Sequence, residues 1–210
     1  MKSLGLPFEA VPVDADESVP PGLSPADAVK EIARRKLAAG LEASESRAAS
    51  WGIAADTMVE GPEGLLGKPK DAREAEGMIA SLSGRTHSVH SGIAVFAPGP
   101  FRRIEPVGAP DGKGSAIWEP AETVGPWKAD GSGTICLLCH STSVSFRSLT
   151  DGEIRSYVAT NEWRGAAGAY RIQGKGAVLV ERIDGLWSTV VGLPLAPLSA
   201  ILSALSYPSG

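Results

Sequence analysis

The order of helix-like and strand-like segments predicts an α/β fold in which helices flank a mixed, twisted β-sheet. Amphipathic helical segments alternate with short apolar runs rich in β-branched residues, and turn sequences separate them. Short turns also join some of the predicted strands, as in hairpins within such a sheet. With 210 residues, the chain is long enough for one large domain or two small lobes with a sizeable core.

The N-terminal part predicts one strand and one helix. Residues 7–13 are predicted to form a short strand that leads into an acidic, proline-containing loop. Ser24 is a suitable N-cap and Pro25 suits the first helical position, so a helix should begin here and continue to about Leu41.

A buried strand, a helix and a second strand are predicted next. The apolar run at 51–59 indicates a strand. Asp71 and Glu74 have the spacing of a capping box, and the helix that they open should end at Gly84. Residues 89–96 are again strand-like.

The second half predicts an irregular stretch followed by alternating elements. Residues 98–133 are rich in proline and glycine with little periodicity, which predicts a long loop or a small irregular insertion. The remaining predicted strands are 141–149, 177–183 and 186–191, the last two as a hairpin, and the remaining predicted helices are 151–158 and 194–205.

Three charged residues lie within or close to segments that are otherwise apolar. Asp56 ends an apolar run, where a carboxylate is costly unless it is paired or binds a metal. Lys68 returns soon afterwards, after a short turn, and could supply part of that pairing. Lys36 lies within the apolar face of the first helix, where its stem could snorkel along the core or its ammonium could reach into a cleft.

Several short segments, in the correct order, resemble the Maf family of nucleoside triphosphate pyrophosphatases. The resemblance covers residues 5–96 and 141–205. Its segments are Gly5–Glu9, Asp14–Glu17, Ala33–Lys36, Ala55–Thr57, Gly67–Pro69, Leu82–His87, Gly168–Tyr170, Tyr170–Gly174 and Val191–Leu195.

The resemblance implies an enzyme that splits a nucleoside triphosphate into a monophosphate and pyrophosphate, in a cleft between two lobes. Such a reaction needs cations on the phosphates, a divalent metal held by carboxylates and a group that activates water. The resemblance assigns Asp56 as metal ligand and proton acceptor, Glu17 as a second acidic catalytic residue and metal ligand, and Lys36 and Lys68 as partners of the phosphates. Mg²⁺ or Mn²⁺, which prefer oxygen ligands, would be the cofactor.

Two further residues resemble those of the branch that cleaves dTTP and UTP. Thr57 follows the aspartate, and Gln173 lies in the Ile-Gln-Gly segment. A side-chain amide has one acceptor and two donors and can therefore read the carbonyl and imide edge of a pyrimidine. The alternative role for Gln173 is a buried amide that satisfies a turn. The resemblance also implies a homodimer.

The chain departs from the family pattern at its beginning. Family members start with a short strand and a Ser-Pro-Arg-Arg loop, whose arginines would grip phosphates, and this sequence starts after that loop. We therefore expect a single Maf-like domain over 1–210, truncated at its N-terminus and carrying an insertion at 98–133. The alternative function is a nucleotide-binding homologue with weakened or absent catalysis.

A competing motif is the CxxCH sequence from Cys136 to His140. This is the form of a c-type haem attachment site. It could also bind zinc, or hold two buried thiols at the start of a strand, which its two leucines favour. Two cysteines three residues apart cannot form a disulfide framework.

Composition predicts no general attraction to nucleic acid or to anionic membranes, because the formal net charge is −4. No apolar stretch approaches the roughly 20 residues that span a bilayer, and no secretory signal is recognisable at the N-terminus. We therefore expect a cytoplasmic protein.

Overall fold

Helices and strands alternate along the chain, and most lie where the sequence predicts them. This computed structural model describes residues 5–19, 21–43, 51–100, 114–120 and 133–208. The α-helices in these ranges are α1 (Pro25–Ala43), α2 (Ala72–Leu82), α3 (Asp151–Val158), α4 (Trp187–Val191) and α5 (Leu195–Ala204). The strands are β1 (Gly52–Gly61), β2 (Gly64–Leu66), β3 (Thr86–Pro98), β4 (Gly114–Pro120), β5 (Gly133–Phe146) and β6 (Val180–Asp184). Within the described ranges, no helix is both long enough and apolar enough to cross a membrane.

The strands form one sheet, and the α/β class is confirmed. The strand order is β2-β1-β3-β5-β4, and β6 also pairs with β5. The pairs β1–β2, β4–β5 and β5–β6 are antiparallel. Two short 3₁₀ helices, Ala167–Ala169 and Lys175–Leu179, precede β6.

The chain divides into two compact units, in agreement with the two lobes that the resemblance implies. Unit 1 contains Met1–Asp56, Gly92–His140 and Leu193–Gly210. Unit 2 contains Thr57–Ser91 and Ser141–Gly192. Three strands, β1, β3 and β5, contribute residues to both units.

In unit 1, the alternation of side chains along β3 and β5 builds two apolar layers. Successive side chains of a strand point to opposite faces. Ala94 and Phe96 therefore pack with α1, whereas Ile93 and Val95 pack with α5. From β5, Ile135 and Leu137 join the α1 layer and Cys136 and Leu138 join the α5 layer.

Two glycines allow α1 to lie directly against the sheet. A Cβ atom on Gly92 of β3 would lie only 2.5 Å from the carbonyl carbon of Val29 and 2.8 Å from the backbone nitrogen of Lys30. A Cβ on Gly52 of β1 would lie 2.8 Å from a methyl group of Leu37. Since the obstacle at Gly92 is helix backbone, any side chain there would force α1 away from β3.

Unit 2 has its own core, in which α2 and α3 bury apolar side chains against the sheet residues of that unit. His87 is one of the buried polar side chains of this unit and is 3% exposed. The Nε2 atom of His87 lies 2.9 Å from the Tyr170 hydroxyl, and its ring packs edge-on against Phe146 and Tyr170. Within the described residues, its buried Nδ1 atom has no hydrogen-bond partner.

Two of the predicted strands are wrong. Residues 7–13 are not a strand, and most of them are exposed. Pro7 and Pro12 lack the N–H groups that a sheet neighbour would need. The predicted hairpin strand at 186–191 is instead the short helix α4, Trp187–Val191, and the left-handed Gly192, with φ of 113°, ends it.

The remaining predicted helices and strands are confirmed with shifted boundaries. The first part of the predicted strand 177–183 is a 3₁₀ helix, and only β6 is extended. The irregular stretch predicted at 98–133 is wrong at 114–120, because these residues form β4 and pair with β5. Residues 101–113 and 121–132 of the predicted insertion lie outside the described residues. The capping box at α2 differs in one bond, since the Glu74 carboxylate accepts from the backbone of Lys70 rather than of Asp71.

The burial of His87 predicts a loss of stability in mild acid. Burial lowers the pKa of His87 from 6.5 to about 4. The folded state therefore resists protonation of His87. The contribution of this histidine to stability is fully present above its unfolded-state pKa of 6.5 and is lost as the pH drops toward 4. Between pH 7 and pH 5 we expect the free energy of unfolding of the protein to fall by about 2 kcal/mol from this group.

Urea denaturation at the two pH values checks this, with His87→Gln as the comparison. The glutamine amide can still bond to Tyr170 but does not titrate. In the variant, the change in the free energy of unfolding between pH 7 and pH 5 should therefore be smaller by most of the about 2 kcal/mol. Working above pH 5 limits the contribution of carboxylates such as Glu153, whose pKa is lowered to about 2 by hydrogen bonds from Thr150 and Arg147. An equal pH dependence in both proteins would contradict the prediction.

Candidate functional site

The ammonium of Lys36 lies between two carboxylates in unit 1. Its Nζ atom is 2.7 Å from Asp56 Oδ1 and 2.7 Å from Glu17 Oε1. Lys36 comes from α1, Asp56 from β1, and Glu17 from the segment that precedes α1. The side chains of Lys36 and Asp56 are mostly buried, at 19% and 11% exposure. Lys36 therefore directs its charge onto Asp56 rather than only laying its stem along the core.

The charge of Lys36 is secured by its partners. Burial by itself would lower the pKa of this lysine. Hydrogen bonds and charges from Asp56 and Glu17 more than offset that effect and raise the pKa above its ordinary value. Lys36 is therefore cationic at neutral pH, and the cluster of one ammonium and two carboxylates carries a net charge of about −1.

Arg35 holds the segment that carries Glu17. Its Nη1 atom donates to the Asp16 carboxylate at 3.1 Å, to the Asp16 carbonyl at 3.3 Å and to the Ser18 carbonyl at 3.1 Å. These contacts are on both sides of Glu17 in the chain. The Asp16 carboxylate also accepts the backbone N–H of Ser18 at 2.9 Å, which closes a small turn around Glu17.

Arg35 is in turn oriented from within α1. Its Nε atom donates to Glu31 Oε1 at 3.0 Å, one helical turn away. Glu31 also accepts two bonds of 2.7 Å from Arg34, and the hydrogen bond from Arg34 is the main reason that the pKa of Glu31 is lowered. The Glu31–Arg35 spacing is visible in the sequence, but the reach of Arg35 to Asp16 and Ser18 is not.

Thr57 follows Asp56 in the chain and belongs to unit 2. Its Oγ1 atom is 2.8 Å from the hydroxyl of Ser91 on β3. The Ser91 hydroxyl donates to the backbone carbonyl of Thr189 in α4 at 2.7 Å. Both Ser91 and Thr189 are fully buried. Sequence reasoning missed Ser91, because a serine inside an apolar strand gives no sign of its partner.

Lys68 and Gln173 lie on exposed loops of unit 2. The loop of Lys68 is fixed through its neighbour Gly67, whose carbonyl accepts the N–H of Gly168 at 3.1 Å. Gln173 is exposed, so it is not the buried amide of the alternative interpretation.

A carboxylate fixes the Gln173 loop. Glu162 accepts the N–H of Lys175 at 2.7 Å. The backbone carbonyl of Glu162 accepts a bond from the Arg171 side chain at 3.0 Å. Gly174 packs so closely on the Glu162 carboxylate that a Cβ atom would collide with it. The loop that presents Gln173 is therefore held in place from both of its ends.

The donor atoms around Lys36 suit a magnesium-type ion that keeps part of its water shell. Mg²⁺ is usually bound by one or two carboxylates together with substrate phosphates, not by a complete protein cage. Asp56 and Glu17 supply two such carboxylates, and both contact the ammonium of Lys36. Among the residues that the structure describes, no group of three or more His, Cys, Asp and Glu side chains could hold a metal by itself.

The CxxCH motif lies inside β5 and is a structural element. Cys136 and Cys139 are buried and form no disulfide, and His140 is fully buried. Since the two cysteines are three positions apart in a strand, they point to opposite faces and cannot approach one haem. Burial raises the pKa of the Cys136 thiol, which keeps it protonated and unreactive. The buried-thiol interpretation is confirmed.

Comparison with known proteins agrees with the resemblance. The model of the family described as Maf-like protein matches residues 1–205. The chain belongs to the Maf-like family. A dTTP/UTP pyrophosphatase of Pelotomaculum thermopropionicum is 36% identical over 208 residues, which cover 99% of this chain and 90% of that protein. A protein of the same description from Syntrophotalea carbinolica is 38% identical over 213 residues, with 98% and 78% covered.

In this Maf-like chain, the predicted site residues fall into two groups. Glu17, Lys36 and Asp56 are brought together in unit 1. Thr57, Lys68 and Gln173 belong to unit 2. The roles of all six residues, and the convergence of Lys68 on Asp56, stay predictions.

The contacts of Arg35 predict that this residue fixes the segment around Glu17. In Arg35→Gln, we expect amide hydrogen exchange at Ser18 to accelerate by about tenfold or more. Its N–H donates to the Asp16 carboxylate, and three side-chain bonds that hold this segment are lost. The matched control is Lys30→Gln, which removes a cation of α1 that pairs with Asp27 instead. Equal exchange in wild type and Arg35→Gln would contradict the assignment.

Proposed function

We propose that this Maf-like protein is a nucleoside triphosphate pyrophosphatase, which hydrolyses dTTP- and UTP-type nucleotides to the monophosphate and pyrophosphate. The observation that carries the proposal is the cluster of Asp56, Lys36 and Glu17. It lies in a chain about 36% identical, over nearly its whole length, to proteins named dTTP/UTP pyrophosphatase.

The charge of the cluster supports a divalent cation as cofactor. With a net charge of about −1, the cluster by itself repels a triphosphate and attracts a cation. Asp56 and Glu17 would hold Mg²⁺ or Mn²⁺, as their oxygen donors suit. When bound, the ion supplies positive charge against the phosphates and lowers the pKa of a bound water.

Asp56 is suited to accept a proton from the attacking water. Lys36 donates to its Oδ1 atom at 2.7 Å, which orients the carboxylate that would accept the proton. Water adds to phosphorus, the anhydride bond between the α and β phosphates breaks, and pyrophosphate leaves with the electron pair of that bond. Lys36 stays cationic throughout, and together with Lys68 it would stabilise the negative charge on the phosphate oxygens.

Recognition of the base is assigned to unit 2. Thr57 carries a hydroxyl that a buried hydrogen bond fixes in position, and Gln173 is exposed on an anchored loop. Exposure leaves the Gln173 amide available to a nucleotide. The homodimer and the cytoplasmic location remain predictions.

The proposal predicts that Asp56→Asn abolishes turnover without unfolding the protein. The amide keeps the size of the carboxylate but loses its charge and its ability to accept a proton, so pyrophosphate release from dTTP or UTP should fall by roughly 10²–10⁴-fold. Folding should be preserved because Lys36 retains Glu17 as a partner. Circular dichroism and pyrophosphate release are measured on the same sample, in the presence of Mn²⁺.

The control is Glu181→Gln, which removes an exposed carboxylate from β6 and should leave turnover unchanged. A folded Asp56→Asn protein with more than about a tenth of wild-type turnover would contradict the catalytic role. Wild-type protein that binds the nucleotides but releases no pyrophosphate would instead support the alternative, a binding protein without catalysis.

Metal dependence gives a separate prediction for Glu17. Chelation should abolish turnover, and added Mg²⁺ or Mn²⁺ should restore it. In Glu17→Gln the cluster loses one of its two carboxylates, so half-maximal activity should require a higher metal concentration. Titration of activity with Mn²⁺ checks this, and an unchanged midpoint would exclude Glu17 as a metal ligand.

A further inference from the structure

A chain of hydrogen bonds determines which way the Thr57 hydroxyl points its proton. The Ser91 hydroxyl has one proton, and it donates that proton to the carbonyl of Thr189, which can only accept. Ser91 therefore has no proton left for Thr57, so the 2.8 Å bond between the two hydroxyls is donated by Thr57. The Thr57 oxygen is left with its lone pairs and acts toward any further partner as an acceptor.

The position of Thr189 fixes the direction of the hydrogen bond that Ser91 donates to it. Its carbonyl also accepts the N–H of Gly192 at 3.0 Å, as part of the bond pattern that ends α4. The carbonyl is thus fixed by the helix end, and Ser91 is buried with it, away from water that could reverse the bond.

The space beside the Thr57 hydroxyl is kept open by Gly192. A Cβ atom at this glycine would lie 3.3 Å from Thr57 Oγ1, closer than most side-chain contacts. Gly192 has a positive φ, which other residues adopt only with strain. The same glycine therefore ends α4 and leaves room for a ligand group next to the hydroxyl.

We propose that Ser91 determines base specificity by fixing Thr57 as a hydrogen-bond acceptor for the N3–H group of uracil and thymine. Cytosine has an unprotonated N3, whose lone pair would face the lone pairs of Thr57 without a proton between them. This inference rests on the proposed function, in which Thr57 contacts the base. Ser91 acts through Thr57 and is a positioning residue.

The test compares kcat/KM for UTP and CTP, which differ only at the N3–C4 edge of the base. Wild type should prefer UTP. Ser91→Ala frees the Thr57 proton to turn toward cytosine N3, so the UTP/CTP ratio should fall by about tenfold or more. Thr57→Val should lose the preference as well, whereas Thr57→Ser, which preserves the hydroxyl chain, should retain it.

The matched control is Ser145→Ala, which breaks another hydroxyl pair of unit 2, the 2.8 Å bond between Thr86 and Ser145. It should leave the ratio unchanged. The Kd values of the α,β-methylene analogues of UTP and CTP give the same ratio without turnover, so a slow variant is still informative.

The outcomes separate the two proposals. If Ser91→Ala lowers kcat/KM for both nucleotides equally, Ser91 has only a structural role and the inference is overturned while the proposed function stands. The same holds if wild type shows no preference for UTP. If wild type releases pyrophosphate from neither nucleotide, the proposed function itself is overturned, and the inference with it.

Discussion

The distance between helix α1 and the sheet is the constraint on which the Asp56 cluster depends. Gly92 and Gly52 have no side chains, so the helix backbone and Leu37 lie in contact with the strands. Val29, which faces Gly92, and Lys36 are seven positions apart, about two helical turns, and therefore lie on the same face of α1. The face that touches the sheet thus also carries the ammonium to Asp56. A larger residue at Gly92 would displace the helix and with it the lysine, although neither glycine carries a functional group.

In the cluster, a mostly buried cation is kept charged by two neighbouring carboxylates. Burial alone would favour a neutral lysine, but the two carboxylates raise the pKa of Lys36 and keep it charged. The excess of one negative charge would favour the binding of the proposed divalent ion. The position of Glu17 within this arrangement depends on Arg35, a neighbour of Lys36 in sequence that faces the acidic segment. Two adjacent residues of α1 thus have different partners. Lys36 contacts Asp56, and Arg35 contacts the segment that carries Glu17.

In unit 2, the direction of the hydrogen bonds between Thr57, Ser91 and Thr189, rather than a charge, is the important chemical feature. A hydroxyl can donate or accept, and by itself Thr57 would not distinguish a ring N–H from a ring nitrogen lone pair. The bond from Ser91 to a backbone carbonyl removes that ambiguity. This requires Thr189 to lie in a helix, whose last turn fixes the carbonyl. The segment that the sequence predicts as a hairpin strand is therefore important for the proposed specificity because it is helical.

Local patterns in the sequence determined the long elements and the residue types of the site. A single sequence is enough to recognise local features. These include the caps of α1 and α2, the apolar helix faces and the isolated acid at Asp56. Tertiary structure decided what has no local signature. Exposure and the prolines exclude a strand at 7–13, and packing turns the β-branched residues at 187–191 into a helix. The contacts of Arg35 with Asp16 and of Ser91 with Thr189 join residues 19 and 98 positions apart. Only folding brings such residues together, because hydrogen bonds depend on distance and direction in space rather than on spacing along the chain.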